Sequence, residues 1–321
     1  MKKRILGNTG LEVSEVGLGC MGMDHAYGPA ADRGEMIKLI HRAIEMGCNF
    51  FDTAVVYGEA NEELLGEALE PFKGNVVIAT KFGITGTVIK DGKLEHVLNS
   101  TPESIREQLE GSLKRLKVKC IDLYYQHRID PKVEPEIVAK TMKELIEEGK
   151  IKHWGLSNAP IEYMRRAHAV CPVTAIENQY SMVWREPERE LFNICEELGI
   201  GFVAYSPLGN GFLSGKYTKD TKYAKDDFRG FMGRFKPEVI ENNQKLLDLI
   251  SEIAKNKNAT SAQIVLAWEL AQKPFIVPIP GTTKSHRLEE NLGAINVELT
   301  KEELENINNA LDKIEIDETH F

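Results

Sequence analysis

Four residues carry side chains that could work on one proton: Asp52, Tyr57, Lys81 and His127. A phenol is ordinarily too weak an acid to protonate an oxygen that is gaining negative charge near neutral pH. An ammonium beside it favours the ionised form and draws its pKa towards the working range. Asp52 can hold that ammonium, so that a partly buried Lys81 keeps a counter-charge. His127 can hydrogen-bond the reacting oxygen and orient it. Taken singly, each residue also has an ordinary structural use: a cap, a packed ring, a solvated charge, a polar strand end. The chemistry lies in the combination, and it requires that the chain bring the four together.

The elements that could do so are short β-rich runs alternating with helical ones. The strand candidates are Val16–Cys20, Phe50–Asp52, Val76–Lys81, Ile121–Gln126, Lys152–Leu156, Ala175–Asn178, Gly201–Tyr205 and Phe275–Ile279. Most are β-branched or aromatic and end at Gly, Pro or polar residues. Between them, Arg33–Met46 repeats apolar residues with helical period and stops at Gly47. Pro102–Leu116 opens on Thr101-Pro102-Glu103, a cap followed by proline in the first turn. Glu136–Glu148, Ile161–Ala169, Glu188–Leu198, Val239–Lys255 and Ala262–Ala271 continue the alternation. Eight strands alternating with helices define an α/β fold with a parallel sheet, and eight is the number that closes into a (β/α)8 TIM barrel. Asp52, Tyr57, Lys81 and His127 then follow or end the second, third and fourth strands and converge on the C-terminal mouth, where such barrels carry their chemistry. Arg4–Leu6 and Leu11–Val13, joined by Gly7-Asn8-Thr9-Gly10, predict an N-terminal hairpin. Asn210 to Lys236 breaks the rhythm as a long loop after the seventh barrel strand. No linker or composition shift divides residues 1–321, so one barrel domain is expected.

Gly17-Leu18-Gly19-Cys20-Met21-Gly22 satisfies the dinucleotide-binding pattern GxGxxG. That turn works only if a helix starts at once, with phosphate on its N-terminus. Here the chain runs on through Asp24-His25-Ala26-Tyr27-Gly28-Pro29 and helical period begins near Arg33. These glycines instead end the first strand and let a loop turn over the barrel mouth.

Bulk properties narrow the class. The 321 residues are 42% apolar and 28% charged, an ordinary globular balance. A net charge of -9 argues against nucleic-acid binding. No run approaches the ~18 apolar residues of a membrane span, and Met1-Lys2-Lys3-Arg4 precedes glycines and not an apolar core. Cys20, Cys48, Cys120, Cys171 and Cys195 are scattered and odd in number, as expected of reduced cytoplasmic thiols and not of a disulfide framework or zinc site. No HExxH or Cys/His cluster suggests a metal.

Over nearly its whole length, from Arg4-Ile5-Leu6-Gly7-Asn8-Thr9-Gly10-Leu11 onward, the sequence resembles the aldo-keto reductases. The segment Phe51-Asp52-Thr53-Ala54-Val55-Val56-Tyr57-Gly58 carries the resemblance most specifically. It implies an NADP-dependent oxidoreductase that reduces small aldehydes or ketones by direct hydride transfer. Tyr57 would be the general acid, Lys81 and Asp52 its tuning pair and His127 the orienting group, with no metal. It also implies NADPH-binding roles. Cys20, Met21 and Asp52 would contact the cofactor, with Ser157, Asn158 and Gln179 on the carboxamide and Tyr205 stacked on the ring. Ser206, Pro207, Leu208, Gly209 and Gly211 would line the pyrophosphate, under a strap through Lys216 and Arg229. Gly281, Thr282, Thr283, Lys284 and Arg287 would hold the 2′-phosphate end, and Glu290 and Asn291 the adenine. The departure is His127-Arg128-Ile129-Asp130-Pro131, where many members read His-x-Pro; substrate preferences of the mammalian aldose reductases are therefore not carried over.

Two further readings compete. A cofactor-binding regulatory protein like the potassium-channel β subunits would share the fold with little turnover. A Schiff-base aldolase would use Lys81 as nucleophile but leaves Tyr57 and the 281–291 segment unexplained. Met182 and Trp184 could line a substrate pocket or pack under a loop, whereas Trp154 and Trp268 read as core.

Overall fold

The computed structural model describes residues 1–24, 27–90 and 93–319; His25 and Ala26, in the loop expected over the mouth, lie outside them. The chain opens with strands β1 (Lys3–Leu6), β2 (Leu11–Ser14) and β3 (Leu18–Gly19), helix α1 (Arg33–Glu45), β4 (Phe50–Asp52) and α2 (Glu59–Leu69). Next come β5 (Val77–Phe82), β6 (Ile84–Lys90), β7 (Lys93–Leu98), α3 (Pro102–Arg115), β8 (Ile121–Gln126), α4 (Pro135–Glu147), β9 (Ile151–Ser157) and α5 (Ile161–Val170). The C-terminal part holds β10 (Ala175–Gln179), α6 (Leu191–Leu198), β11 (Gly201–Tyr205), α7 (Pro237–Asn242), α8 (Gln244–Lys257), α9 (Ser261–Gln272), β12 (Ile276–Pro278), α10 (Ser285–Leu292) and α11 (Lys301–Leu311).

Strands β3, β4, β5, β8, β9, β10, β11 and β12 form one parallel sheet in that order. The ends of the sheet meet. Gly17 N–H donates to Pro278 C=O at 3.0 Å and Gly19 N–H to Pro280 C=O at 3.3 Å, and Gly19 pairs with Gly281, closing the (β/α)8 barrel. This seam is what the glycines serve. A Cβ on Gly17 would stand 2.7 Å from the Phe50 ring and one on Gly19 2.8 Å from Ile279 O, closer than side chains pack. The GxGxxG pattern is thus a barrel seam.

Hairpin β1–β2 covers the N-terminal end of the barrel, with Asn8 N–H donating to Gly199 C=O and Leu6 lying against Gly201. Leu6, Leu11 and Val13 join Phe50, Val77, Ala79, Leu123, Tyr125, Ala175, Val203 and Val277 in the barrel interior. The other apolar faces of the strands pack on the helices, with Trp154 and Trp268 fully buried there. Two local signals act as read: Asp32 caps α1 by accepting from Glu35 N–H at 2.9 Å, and Thr101 caps α3 ahead of Pro102.

Several boundaries differ. The first barrel strand pairs only over Leu18–Gly19 and the last over Ile276–Pro278, while the third and fifth run one residue further, to Phe82 and Ser157. Helix α6 starts at Leu191, because Pro187 lies in a separate short turn. The expected helix Val239–Lys255 is two helices broken at Asn243. Its buried side chain donates to Val239 C=O and Asp317 C=O and accepts from Asp317 N–H, tying the break to the C-terminal tail. Hairpin β6–β7 and helices α2 and α11 are additions. Among the described residues no helix is long and apolar enough to cross a membrane.

Candidate active site

The strand period places the polar groups. On β4, β5, β10 and β11 the interior residues Phe50, Ala79, Ala175 and Val203 are each followed, two positions nearer the mouth, by Asp52, Lys81, Glu177 and Tyr205. Alternation sends i and i+2 to one side of a sheet, so the apolar plug gives way to a polar layer at its top. The same step takes Tyr125 to His127, just past β8, whose N–H donates to Phe82 C=O at 2.8 Å. Tyr57 reaches the layer from the short turn Val55–Tyr57 after β4.

Lys81 is the centre of this layer. Its Nζ donates to Asp52 Oδ1 in a very short contact and to Thr53 C=O at 3.0 Å, and stands 3.3 Å from Glu177 Oε1. Asp52, Lys81 and Glu177 are exposed by no more than 3%. Burial alone would drive the ammonium to lose its proton, but Asp52 and Glu177 outweigh it and hold Lys81 above the ordinary lysine value. A clamped ammonium is no nucleophile, which removes the Schiff-base reading.

The Lys81 ammonium lies 5.5 Å from the centre of the Tyr57 ring, and the Tyr57 and His127 rings meet edge-on with centres 5.9 Å apart. The four residues are therefore brought to one mouth. The direction of the tyrosine shift differs from expectation. Burial pushes the Tyr57 hydroxyl well up; Lys81 pulls it back, and Asp52 and Glu177 push it up again. In this state Tyr57 keeps its proton, and the Lys81 ammonium is the first group that opposes the upward shift. His127 is held far below its ordinary value by burial first and then by Lys81 and Arg128, so the imidazole is neutral and can donate a hydrogen bond.

Around this centre, Ser157, Asn158, Gln179 and Tyr205 gather at the ends of β9, β10 and β11. Asn158 Nδ2 donates to Ser157 Oγ at 3.0 Å and Tyr205 OH to Asn158 Oδ1 at 3.2 Å. Arg128 donates to Ser157 Oγ at 3.3 Å. Gln179 Nε2 is buried without a partner, a donor aimed at an acceptor the polypeptide does not supply. Met21 is half-buried in the turn after β3, but Cys20 is only 1% exposed, with its thiol directed at Leu18 C=O, so only its backbone can face a ligand.

The segment Ser206–Gly211 turns tightly, with Ser206, Gly209, Asn210 and Gly211 all at positive φ. Pro207 is buried and Leu208 half-buried within it. The loop that follows crosses the mouth: Asn210 Nδ2 donates to Tyr27 OH at 2.8 Å, and the Arg229 guanidinium stacks between the rings of Tyr27 and Tyr217, 4.9 Å from each centre. Arg229 is also paired with Asp227 at 2.7 Å, while Lys216 is exposed. Gly281, Thr282, Thr283 and Lys284 lead from the barrel seam into α10. There Arg287 pairs with Glu290 one turn on, and Asn291 is buried. Met182 is buried in the core.

Glu177 is the residue the sequence reading passed over. The signal was present: an acid two positions after Ala175 on the same strand shares its interior face.

The comparisons with known proteins agree with this site. The model of the aldo/keto reductase family matches residues 15–312. A soybean (Glycine max) protein named probable aldo-keto reductase 1 is 44% identical over 304 residues, covering 94% of this chain and 86% of its own. Among solved structures, a glycerol dehydrogenase of Gluconobacter oxydans superposes with a TM-score of 0.88 at 27% identity, over 98% of this chain and 96% of its own. The holo form of an aldo-keto reductase of Bacillus halodurans gives 0.79 at 27% identity, over 100% and 99%. A thermostable aldo-keto reductase in complex with the inhibitor epalrestat gives 0.76 at 30% identity, over 97% and 100%. These matches, on a closed (β/α)8 barrel with a polar layer at its mouth, mark the class as a carbonyl-reducing oxidoreductase. The chain belongs to the aldo-keto reductase family.

Proposed function

We propose that the protein reduces small aldehydes or ketones to alcohols with NADPH, and that Tyr57 delivers the proton. The observation that carries this reading is the buried Lys81–Asp52 pair lying under Tyr57 and beside His127 at the barrel mouth. When bound, the nicotinamide would supply the hydride. Ser157, Asn158 and Gln179 are the residues that would hold its carboxamide, with the unpaired Gln179 Nε2 fitting the amide oxygen. Tyr205 would pack on the ring, and the crossing of Asn210 and Arg229 to Tyr27 would strap the pyrophosphate against Ser206–Gly211.

The protein's own work follows from its electrostatics. Neutral His127 donates to the carbonyl oxygen and orients it; a charged imidazole would have to bring a second cation next to Lys81. As negative charge grows on that oxygen, Tyr57 passes its proton to it. The tyrosinate left behind faces the Lys81 ammonium, which is what makes the release affordable inside a dry site. Asp52 keeps the ammonium charged and in place. Arg287, one turn into α10, would select the 2′-phosphate, giving up its bond to Glu290 to do so. The test is a panel of small aldehydes, ketones and alcohols followed at the nicotinamide absorbance with NADPH, NADP+, NADH and NAD+. Turnover favouring NADPH and a reactive aldehyde is expected; cofactor binding with no turnover of any carbonyl would favour the regulatory-subunit alternative.

A further inference from the structure

Around Lys81 the charges do not balance: two carboxyl groups face one ammonium, and all three are buried. Asp52 gives Oδ1 to Lys81 and Glu177 gives Oε1, and each leaves its second oxygen, Oδ2 and Oε2, buried with no partner. The two carboxyls also lie within hydrogen-bonding reach of each other. Orphaned acceptors on two neighbouring carboxyls in a dry interior are costly, and one proton held on the pair lets one carboxyl donate to the other while cancelling the surplus charge.

We propose that Glu177 is a positioning residue of this site: it carries the one proton shared with Asp52, keeps the Asp52–Lys81–Glu177 cluster neutral, and through Lys81 sets how readily Tyr57 gives up its own proton. The last part rests on the reading of Tyr57 as the acid. The proton belongs on Glu177 because Asp52 has the closer contact with the ammonium, so its carboxylate is the better compensated. Glu177 then donates to Asp52. The direction of its acidity agrees: burial first, then the charge of Asp52, raises the Glu177 carboxyl to about 8, against the pull of Lys81. The titratable groups facing Glu177 are Asp52 on β4, Tyr57 in the turn after it, Lys81 on β5, Tyr125 on β8 and Tyr205 on β11. Only Lys81 among them is cationic.

The consequence is a switch on the alkaline side. When Tyr57 hands its proton to the substrate oxygen, the layer holds tyrosinate, ammonium, carboxylate and one neutral acid, a net charge of minus one. Once Glu177 has ionised, the same transfer leaves two uncompensated charges, and Tyr57 becomes a poorer donor. Reduction therefore declines as pH rises through the Glu177 titration. Glu177→Gln keeps the shape and the hydrogen bond to Asp52 but cannot ionise.

Two measurements test this. In pH profiles of kcat/KM for aldehyde reduction, the ratio of Glu177→Gln to wild type should rise roughly tenfold from pH 6 to pH 9, the effect of removing an ionisation near pH 8. In infrared spectra of the protein without ligands, wild type should show a protonated-carboxyl band at pH 7 that fades between pH 7 and 9 and is missing from Glu177→Gln. The buried Glu269, which has no charged partner, supplies a second such band present in both. Parallel pH profiles, or a wild-type spectrum with no carboxyl band that fades over this range, would overturn the proposal. If Glu177→Gln does not fold, the wild-type band alone decides. Aldehyde reduction absent with the band present would sink the reading of function while leaving the shared proton in place; reduction present with the band absent would sink the proton.

Discussion

Replacing Lys81 with methionine removes the cation that two buried carboxyls share, and the structure says how the protein should respond. Asp52 and Glu177 cannot both stay ionised beside each other without Lys81. Breaking one side of a buried ion pair costs about 3–5 kcal/mol, unless the stranded carboxylate takes up a proton. Protonating an aspartate from its unfolded value of about 3.9 costs about 4 kcal/mol at pH 7, and about 1.4 kcal/mol less for each unit the pH is lowered. The sign is that of a carboxyl raised on folding: the neutral form is stable below the unfolded value, and stability is lost as pH rises above it. Wild type already holds such groups, Glu177 raised to about 8 and the buried Glu269 and Asp52 raised as well, so its stability already declines as pH rises from about 4.3. Lys81→Met removes the ammonium that pulls the Asp52 carboxyl down against its burial, so that Asp52 keeps its proton as well. Its stability deficit relative to wild type should therefore widen by about 2.7 kcal/mol between pH 5 and pH 7, the work of one extra bound proton. Urea unfolding of both proteins at pH 5, 6 and 7 reads this directly. A deficit independent of pH would refute the reasoning, because it would mean that Lys81 contributes packing and not charge compensation.

Three other outcomes follow. Arg287→Ala should weaken NADPH roughly tenfold, the loss of a charge-assisted contact of ~1.5–3 kcal/mol, and leave NADH nearly unaffected by fluorescence quenching; equal weakening would take Arg287 off the 2′-phosphate. Gly19→Ala places a methyl 2.8 Å from Ile279 O in the barrel seam, and should cost about 1–3 kcal/mol in urea unfolding, where an unchanged midpoint would show the seam to be loose. Asn243→Ala removes three hydrogen bonds of a buried side chain and should free the C-terminal tail to proteolysis, which an unaltered digestion pattern would contradict.

How far the sequence spoke depends on where its signals were local. The barrel strands were legible because their β-branched and aromatic runs end at glycine or polar residues, and Phe50–Asp52, Ile121–Gln126 and Gly201–Tyr205 form as read. Helix α2 was not, because its buried face carries Asn61 and Glu62. Their partners, Thr53 with Cys20 C=O, and Thr80 with Arg115, come from other parts of the chain. Hairpin β6–β7 escaped for the opposite reason: Val88, Ile89 and Val97 are exposed, so no buried face imposes a pattern on it. At the site, residue types announced Asp52, Tyr57, Lys81 and His127. The upward shift of Tyr57 and the pairing of Arg287 with Glu290 depend on burial and side-chain contact, which residue types do not encode.

The central claim is that Tyr57 supplies the proton, and single-turnover oxidation of NADPH by a reactive aldehyde in Tyr57→Phe tests it most directly. The substitution is nearly isosteric and leaves Lys81, Asp52 and His127 in place. The account predicts a rate lower by about 10²–10⁴ with the NADPH dissociation constant close to wild type; a rate within a few-fold of wild type, or a loss matched by an equal loss of NADPH affinity, would contradict it.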